Sequence, residues 1–151
     1  MKATKANIQN FLGIRKMAIA GVSRDQKKFG YGVLTKLKEK GVDVYLVHPE
    51  VDTLHGEPCY RTISSLPGDI GGLVILTPKT ETLGVVEEAI KKGIPSLWIQ
   101  QMSETAEAIE AAVNSKLNVV SGQCILMFAE PVAGFHKFHR NLKRFFGGMP
   151  K

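Results

Sequence analysis

Five short apolar runs punctuate the chain, at 16–21, 43–47, 72–76, 96–100 and 118–121, and segments of helical period separate most of them. Strands of five or so residues alternating with helices leave few ways to bury apolar surface. They assemble as a parallel sheet covered by helices on both faces, with right-handed crossovers. This alternation predicts an α/β fold.

The punctuation supports the assignment. Residues 3–14 place Ile8, Phe11 and Leu12 at helical spacing and predict a lead-in helix covering one edge of the core. The first strand, at 16–21, ends at Gly21. Over 30–40, Val33, Leu34 and Leu37 share one helical face and Lys36, Lys38, Glu39 and Lys40 lie largely on the other, with Gly41 as the stop. The second strand, at 43–47, halts at His48-Pro49, because proline removes a backbone donor. Residues 62–66 predict a short helix before Pro67-Gly68, and the third strand follows at 72–76. Thr77 as cap and Pro78 in the first turn open a helix carried by Leu83, Val86, Ala89 and Ile90 to Gly93. Ser103 is expected to cap the last helix before the fifth strand. The result is a Rossmann-like three-layer sandwich with a five-stranded parallel sheet.

At 151 residues and 44% hydrophobic content, the chain fits one domain. We expect it to span 1–133, with a basic aromatic helix or tail at 134–151 packed on it. Cys59 and Cys124 are far apart and form no CxxC spacing, which points away from disulfides and zinc and toward a reducing cytoplasm. The N-terminus lacks a leader-like apolar stretch, and no apolar run approaches the roughly 20 residues that span a bilayer. The four histidines form no ligand set, so no metal is expected. Of the net charge of +6, most falls after Glu130, where Lys137, Arg140, Lys143, Arg144 and Lys151 meet no acid. The tail is read as a helix docking Phe135, Phe138, Leu142, Phe145 and Phe146 on the domain, with a surface for an acidic partner, RNA or anionic lipid as the alternative. Nucleic acid is not the expected partner; a protein partner or a second copy remains open.

In open α/β sheets, ligands bind outside the carboxyl ends of the strands, so the loop after the first strand is the first place to look. There Gly21-Val22-Ser23-Arg24 offers a glycine turn, a hydroxyl and backbone amides ahead of a helix N-terminus, a natural seat for phosphate. Only the first glycine of the GxGxxG dinucleotide pattern is kept. The end of the second strand holds His48-Pro49 where an NAD site places its ribose-binding acid, and Glu50 lies past the proline. Arg24, Lys27 and Lys28 suit a ligand with more phosphate charge than NAD. Coenzyme A, with its 3′-phosphate, and NADP, with its 2′-phosphate, both qualify; a solvated basic turn is the alternative.

The stretch KMAIAGVSRDQKKFGYGVLTKLKEKGVDVYLVHPEVDTLHGEPCYRTISSLP resembles the CoA-binding domain family in the order of its pieces. These are a strand, a G-[AV]-S-R loop, a Gly-Tyr helix start, a proline after the second strand, and a Gly…Cys-Tyr…Leu-Pro stretch. Thr77-Pro78, Trp98-Ile99-Gln100 and Cys124 continue the likeness, which covers roughly residues 12–130. The family is similar to the N-terminal domain of the succinyl-CoA synthetase α subunit. The resemblance implies a strand order of 3-2-1-4-5 and coenzyme A as ligand. It also implies that Gly21, Val22, Ser23, Arg24 and Lys28 surround the phosphates, that Val47, His48 and Pro49 border the adenosine, and that Thr77 and Pro78 line the groove. Gln100 and Cys124 would lie nearer the pantetheine arm. His48 stands where the family has asparagine. The phosphorylated histidine of the synthetases belongs to a separate domain that this chain does not reach, so ligase activity is not implied.

Cys124 is the one candidate nucleophile, but Ser121-Gly122-Gln123-Cys124-Ile125-Leu126 supplies neither a base nor a pKa-lowering neighbour. The expected function is a coenzyme A or acyl-CoA binding protein acting as carrier, sensor or partner module. The alternatives are an NADP-binding enzyme or a Cys124-dependent CoA-thiol enzyme.

Overall fold

In the computed structural model, which describes residues 3–128, the chain enters through α1, Lys5–Leu12. Its start is fixed by a capping box: Thr4 Oγ1 accepts from Asn7 N–H at 3.1 Å, and the Asn7 side chain accepts from Thr4 N–H at 3.1 Å. There follow β1 (Lys16–Ala20), α2 (Phe29–Glu39) and β2 (Asp43–Val47), a complete β-α-β unit. Next come β3 (Thr53–Leu54), β4 (Glu57–Tyr60), β5 (Gly72–Ile75), α3 (Lys79–Lys92), β6 (Ser96–Gln100), α4 (Ala106–Asn114) and β7 (Asn118–Gln123). A short 3₁₀ turn, Ile125–Met127, completes the described residues.

The sheet order is β3-β4-β2-β1-β5-β6-β7, with every neighbouring pair parallel except β3 against β4. The expectation of five strands is thereby corrected to seven. The third strand expected from the sequence, β5, pairs with β1 and does not lie outside β2; β4 takes that outer place. The expected order 3-2-1-4-5, which set the strand at 72–76 outside β2 and the strand at 96–100 beside β1, is therefore corrected to β4-β2-β1-β5-β6-β7 for the parallel strands. The hairpin turns through His55 (φ 51°) and Gly56 (φ 78°), the two consecutive positive φ angles that a tight two-residue turn demands.

Two further expectations are corrected. Residues 62–66 do not form a helix, because Ser65 Oγ–H donates to Thr62 O at 2.7 Å and Thr62 Oγ1 accepts from Ser65 N–H at 3.2 Å, which closes a local turn instead. The cap of α4 is Thr105, whose Oγ1 accepts from Ala108 N–H at 3.1 Å, and not Ser103. The boundary at 133 and the tail at 134–151 lie outside the described residues.

Alternation along the strands divides the core between the sheet's two faces. Met17, Ile19, Leu46, Val74, Trp98 and Val120 pack with α1 and α2, whereas Ala18, Ala20, Leu73, Ile75, Leu97 and Ile99 pack with α3 and α4. This is the expected three-layer arrangement. Trp98 is fully buried; its ring meets Phe11 edge-on at 5.5 Å, and its Nε1–H donates to Gln123 O at 3.2 Å. Between β6 and β7 the register slips, pairing Ile99 with Ser121 but Gln100 with Gln123. The extra residue, Gly122, forms a bulge that carries β7 two residues beyond its expected end and delivers Cys124 to the carboxyl rim of the sheet.

Candidate functional site

At the carboxyl end of the sheet, β1 and β5 come so close that side-chain choice is dictated. Gly21 has φ 101°, and a Cβ there would lie 2.6 Å from Leu76 C and 2.7 Å from Thr77 N. Glycine is required on both counts. The loop after it folds on itself: Ser23 Oγ accepts from Asp25 N–H at 3.0 Å, Asp25 Oδ1 accepts from Lys27 N–H at 2.9 Å, and Asp25 O accepts from Lys28 N–H at 3.0 Å. α2 then begins at Phe29 with no side chain capping its first turn, leaving its N-terminus directed at the loop. Gly30 lets the helix approach, since a Cβ there would be 3.1 Å from Val22 Cα.

Two cavities, about 550 and 640 Å³, flank this crossing and share Gly21, Ser23, Thr77 and Pro78 as a common crest. Each falls in the size range of small-molecule sites. The first lies over the end of β2 and is lined also by Val22, Val47, His48 and Pro49. The second lies toward β6 and β7 and is lined also by Lys28, Gln100 and Cys124. Of the residues singled out from the sequence for the ligand, all border one cavity or the other except Arg24 and Lys27. The Arg24 guanidinium lies beside Glu50, with Nη2 3.2 Å from Oε2.

Several side chains that hold the site are themselves held. Glu50 N–H donates to His48 Nδ1 at 3.1 Å, and His48 N–H donates to Tyr60 O at 2.9 Å, so the β2 terminus is tied to β4. His55 Nε2–H donates to Ser23 O at 2.7 Å, and its ring meets Tyr31 at a tilt of 52° with centroids 4.7 Å apart. The hairpin thus clamps the loop after β1. Thr77 is buried and bonds Thr82 Oγ1 at 2.8 Å, and Pro78, not Thr77, occupies the cap position of α3. Gln100 Oε1 accepts from Ile125 N–H at 3.1 Å, which fixes the segment carrying Cys124. Cys59 lies within β4, where burial and the nearby Asp52 carboxylate push its thiol pKa up.

Sequence reasoning missed Arg61, Glu81 and Glu88 around the first cavity, which Glu50, noted only as lying past the proline, also lines, and Phe29 and Met102 at the second. Glu81, Val85 and Glu88 follow Pro78 at helical spacing, so the signal was present along α3 once its end was known to face the groove. Among the described residues no group of His, Cys, Asp and Glu could hold a metal ion, and no helix is long and apolar enough to cross a membrane.

Residues 15–130 match the model of the CoA binding domain family. The α subunit of an ADP-forming acetate–CoA ligase from Pyrococcus furiosus is 26% identical over 147 residues, covering 90% of this chain but 30% of that protein. This chain thus spans under a third of that relative. Among solved structures, a hypothetical protein from Pyrococcus horikoshii superimposes with a TM-score of 0.79 at 30% identity, covering 87% of this chain and 93% of that one. A conserved hypothetical protein from Pyrococcus furiosus does so with a TM-score of 0.70 at 33% identity, covering 74% and 96%.

Proposed function

The chain belongs to the CoA binding domain family, and from that premise we propose that it binds coenzyme A or an acyl-CoA across the two cavities, with the pyrophosphate over their shared crest. The observation that carries this reading is the crest itself. Two cavities of ligand size meet at Gly21 and Ser23, in front of an uncapped helix N-terminus. An elongated ligand with a nucleotide at one end, phosphates in the middle and a flexible arm at the other matches that layout. Backbone amides and the α2 dipole receive the pyrophosphate, with Lys28 adding a charge-assisted contact. Val47, His48 and Pro49 border the adenosine in the first cavity, and the pantetheine arm runs past Gln100 toward Cys124 in the second.

The function proposed stops at binding: a carrier, sensor or partner module, with no residue assigned a catalytic role. NADP is the second reading of the same cradle. The family match supports coenzyme A over it. Calorimetric titration with CoA, acetyl-CoA, NAD and NADP tests the proposal. It predicts saturable binding of CoA or acetyl-CoA at one site per chain, and micromolar NADP binding with no response to CoA contradicts it.

A further inference from the structure

We infer that Glu50 makes the nucleoside end of the site discriminate against a phosphorylated ribose, so that the 3′-phosphate of coenzyme A adds no affinity. This rests on the coenzyme reading above, which places adenosine in the first cavity. That cavity is lined by three carboxylates, Glu50, Glu81 and Glu88, and by one guanidinium, Arg61. Arg61 is already engaged: its Nε–H donates to Asp52 Oδ1 at 2.9 Å and its Nη1–H to Pro49 O at 3.2 Å.

In the loop after β1, Arg24 is paired with Glu50 at 3.2 Å. This pair bridges the loop after β1, where the pyrophosphate sits, and the end of β2, where the adenosine sits. The ribose connects those two groups, and Glu50 lines the cavity that it would enter. An unphosphorylated ribose leaves the pair intact and offers hydroxyls that the Glu50 carboxylate can accept. A phosphate dianion must instead draw Arg24 away and leave Glu50 unpaired beside a like charge, a repulsion that works as selection against that ligand.

The test compares Kd for CoA and for 3′-dephospho-CoA by calorimetry in the full chain and in Glu50→Gln. Glu50 is about two-thirds exposed, so the variant folds as the parent does. The ratio Kd(CoA)/Kd(3′-dephospho-CoA) is expected at about 1 or above in the parent and about fivefold lower in Glu50→Gln, the size of effect a screened surface charge exerts. A parent ratio below about 0.3, or a ratio unmoved by the substitution, overturns the role of Glu50 while leaving the coenzyme reading standing. Failure of both ligands to bind overturns the coenzyme reading itself, and this inference with it.

Discussion

A Cβ on Gly21 would stand 2.7 Å from the backbone nitrogen of Thr77, so the ends of β1 and β5 can meet only with glycine at this position. Their contact forms the crest between the two cavities. The same residue fixes the turn, the approach of the strands and the position of the loop amides.

Gly21→Ala should therefore cost about 3 kcal/mol or more, combining the positive-φ penalty with a clash against backbone that cannot rotate away. Gly93 is the control: its φ is 89°, yet a Cβ there meets nothing within 4 Å. Gly93→Ala should cost only about 1–2 kcal/mol. Denaturant midpoints of the two variants separate the steric part from the conformational part; equal losses would contradict the account.

The His55 ring ties the hairpin to the loop through Ser23 O. His55→Gly keeps the positive φ of the turn but deletes the clamp, and a lost hydrogen bond of this kind costs about 0.5–1.5 kcal/mol. Coenzyme affinity should fall by about threefold to tenfold, measured by calorimetry. A variant that binds as well as the parent would show that the hairpin does not position the loop.

The central strands and the helices were legible because apolar runs ended at Gly21, Pro49 and Thr77-Pro78, each with a local physical reason to stop. The β3–β4 hairpin was not. β3 is two residues long, and β4, Glu-Pro-Cys-Tyr, contains a proline, so neither gives an alternating pattern; only His55-Gly56 marks the turn. Consequently the strand count and the place of β5 beside β1 were misread. At the site, residues next to the glycine loop could be named from their position on the strands. The Arg24–Glu50 pair could not, because it depends on how far the chain after Pro49 turns back toward β1, and no local pattern encodes that.

Lys16 and Asp69 form an exposed ion pair joining β1 to the turn before β5. The hydrogen bond from Lys16 holds the Asp69 carboxyl below its ordinary 3.8, and the bond to Asp69 raises Lys16 above its ordinary 10.5. The pair's contribution is thus present between these values. It is lost as pH falls through the lowered Asp69 value or rises through the raised Lys16 value. Asp69→Asn should flatten both flanks of a plot of denaturation midpoint against pH, by a small amount because both groups are solvated. Unchanged flanks would contradict this.

Cys59, its thiol pKa raised by burial and by Asp52, should alkylate more slowly with iodoacetamide near pH 8 than a free cysteine does. Asp52→Asn should speed the reaction modestly. Peptide mapping after a timed quench reads both rates, and labelling of Cys59 at the free-cysteine rate would contradict the assignment.

The central claim is that the paired cavities at Gly21 select coenzyme A. Native mass spectrometry of the full chain mixed with equimolar CoA, NAD and NADP tests it most directly, since the three compete for one site in one spectrum. The account predicts a dominant adduct of one CoA per chain that disappears in Gly21→Ala. A dominant NADP or NAD adduct, or a spectrum with no CoA adduct at all, would contradict it.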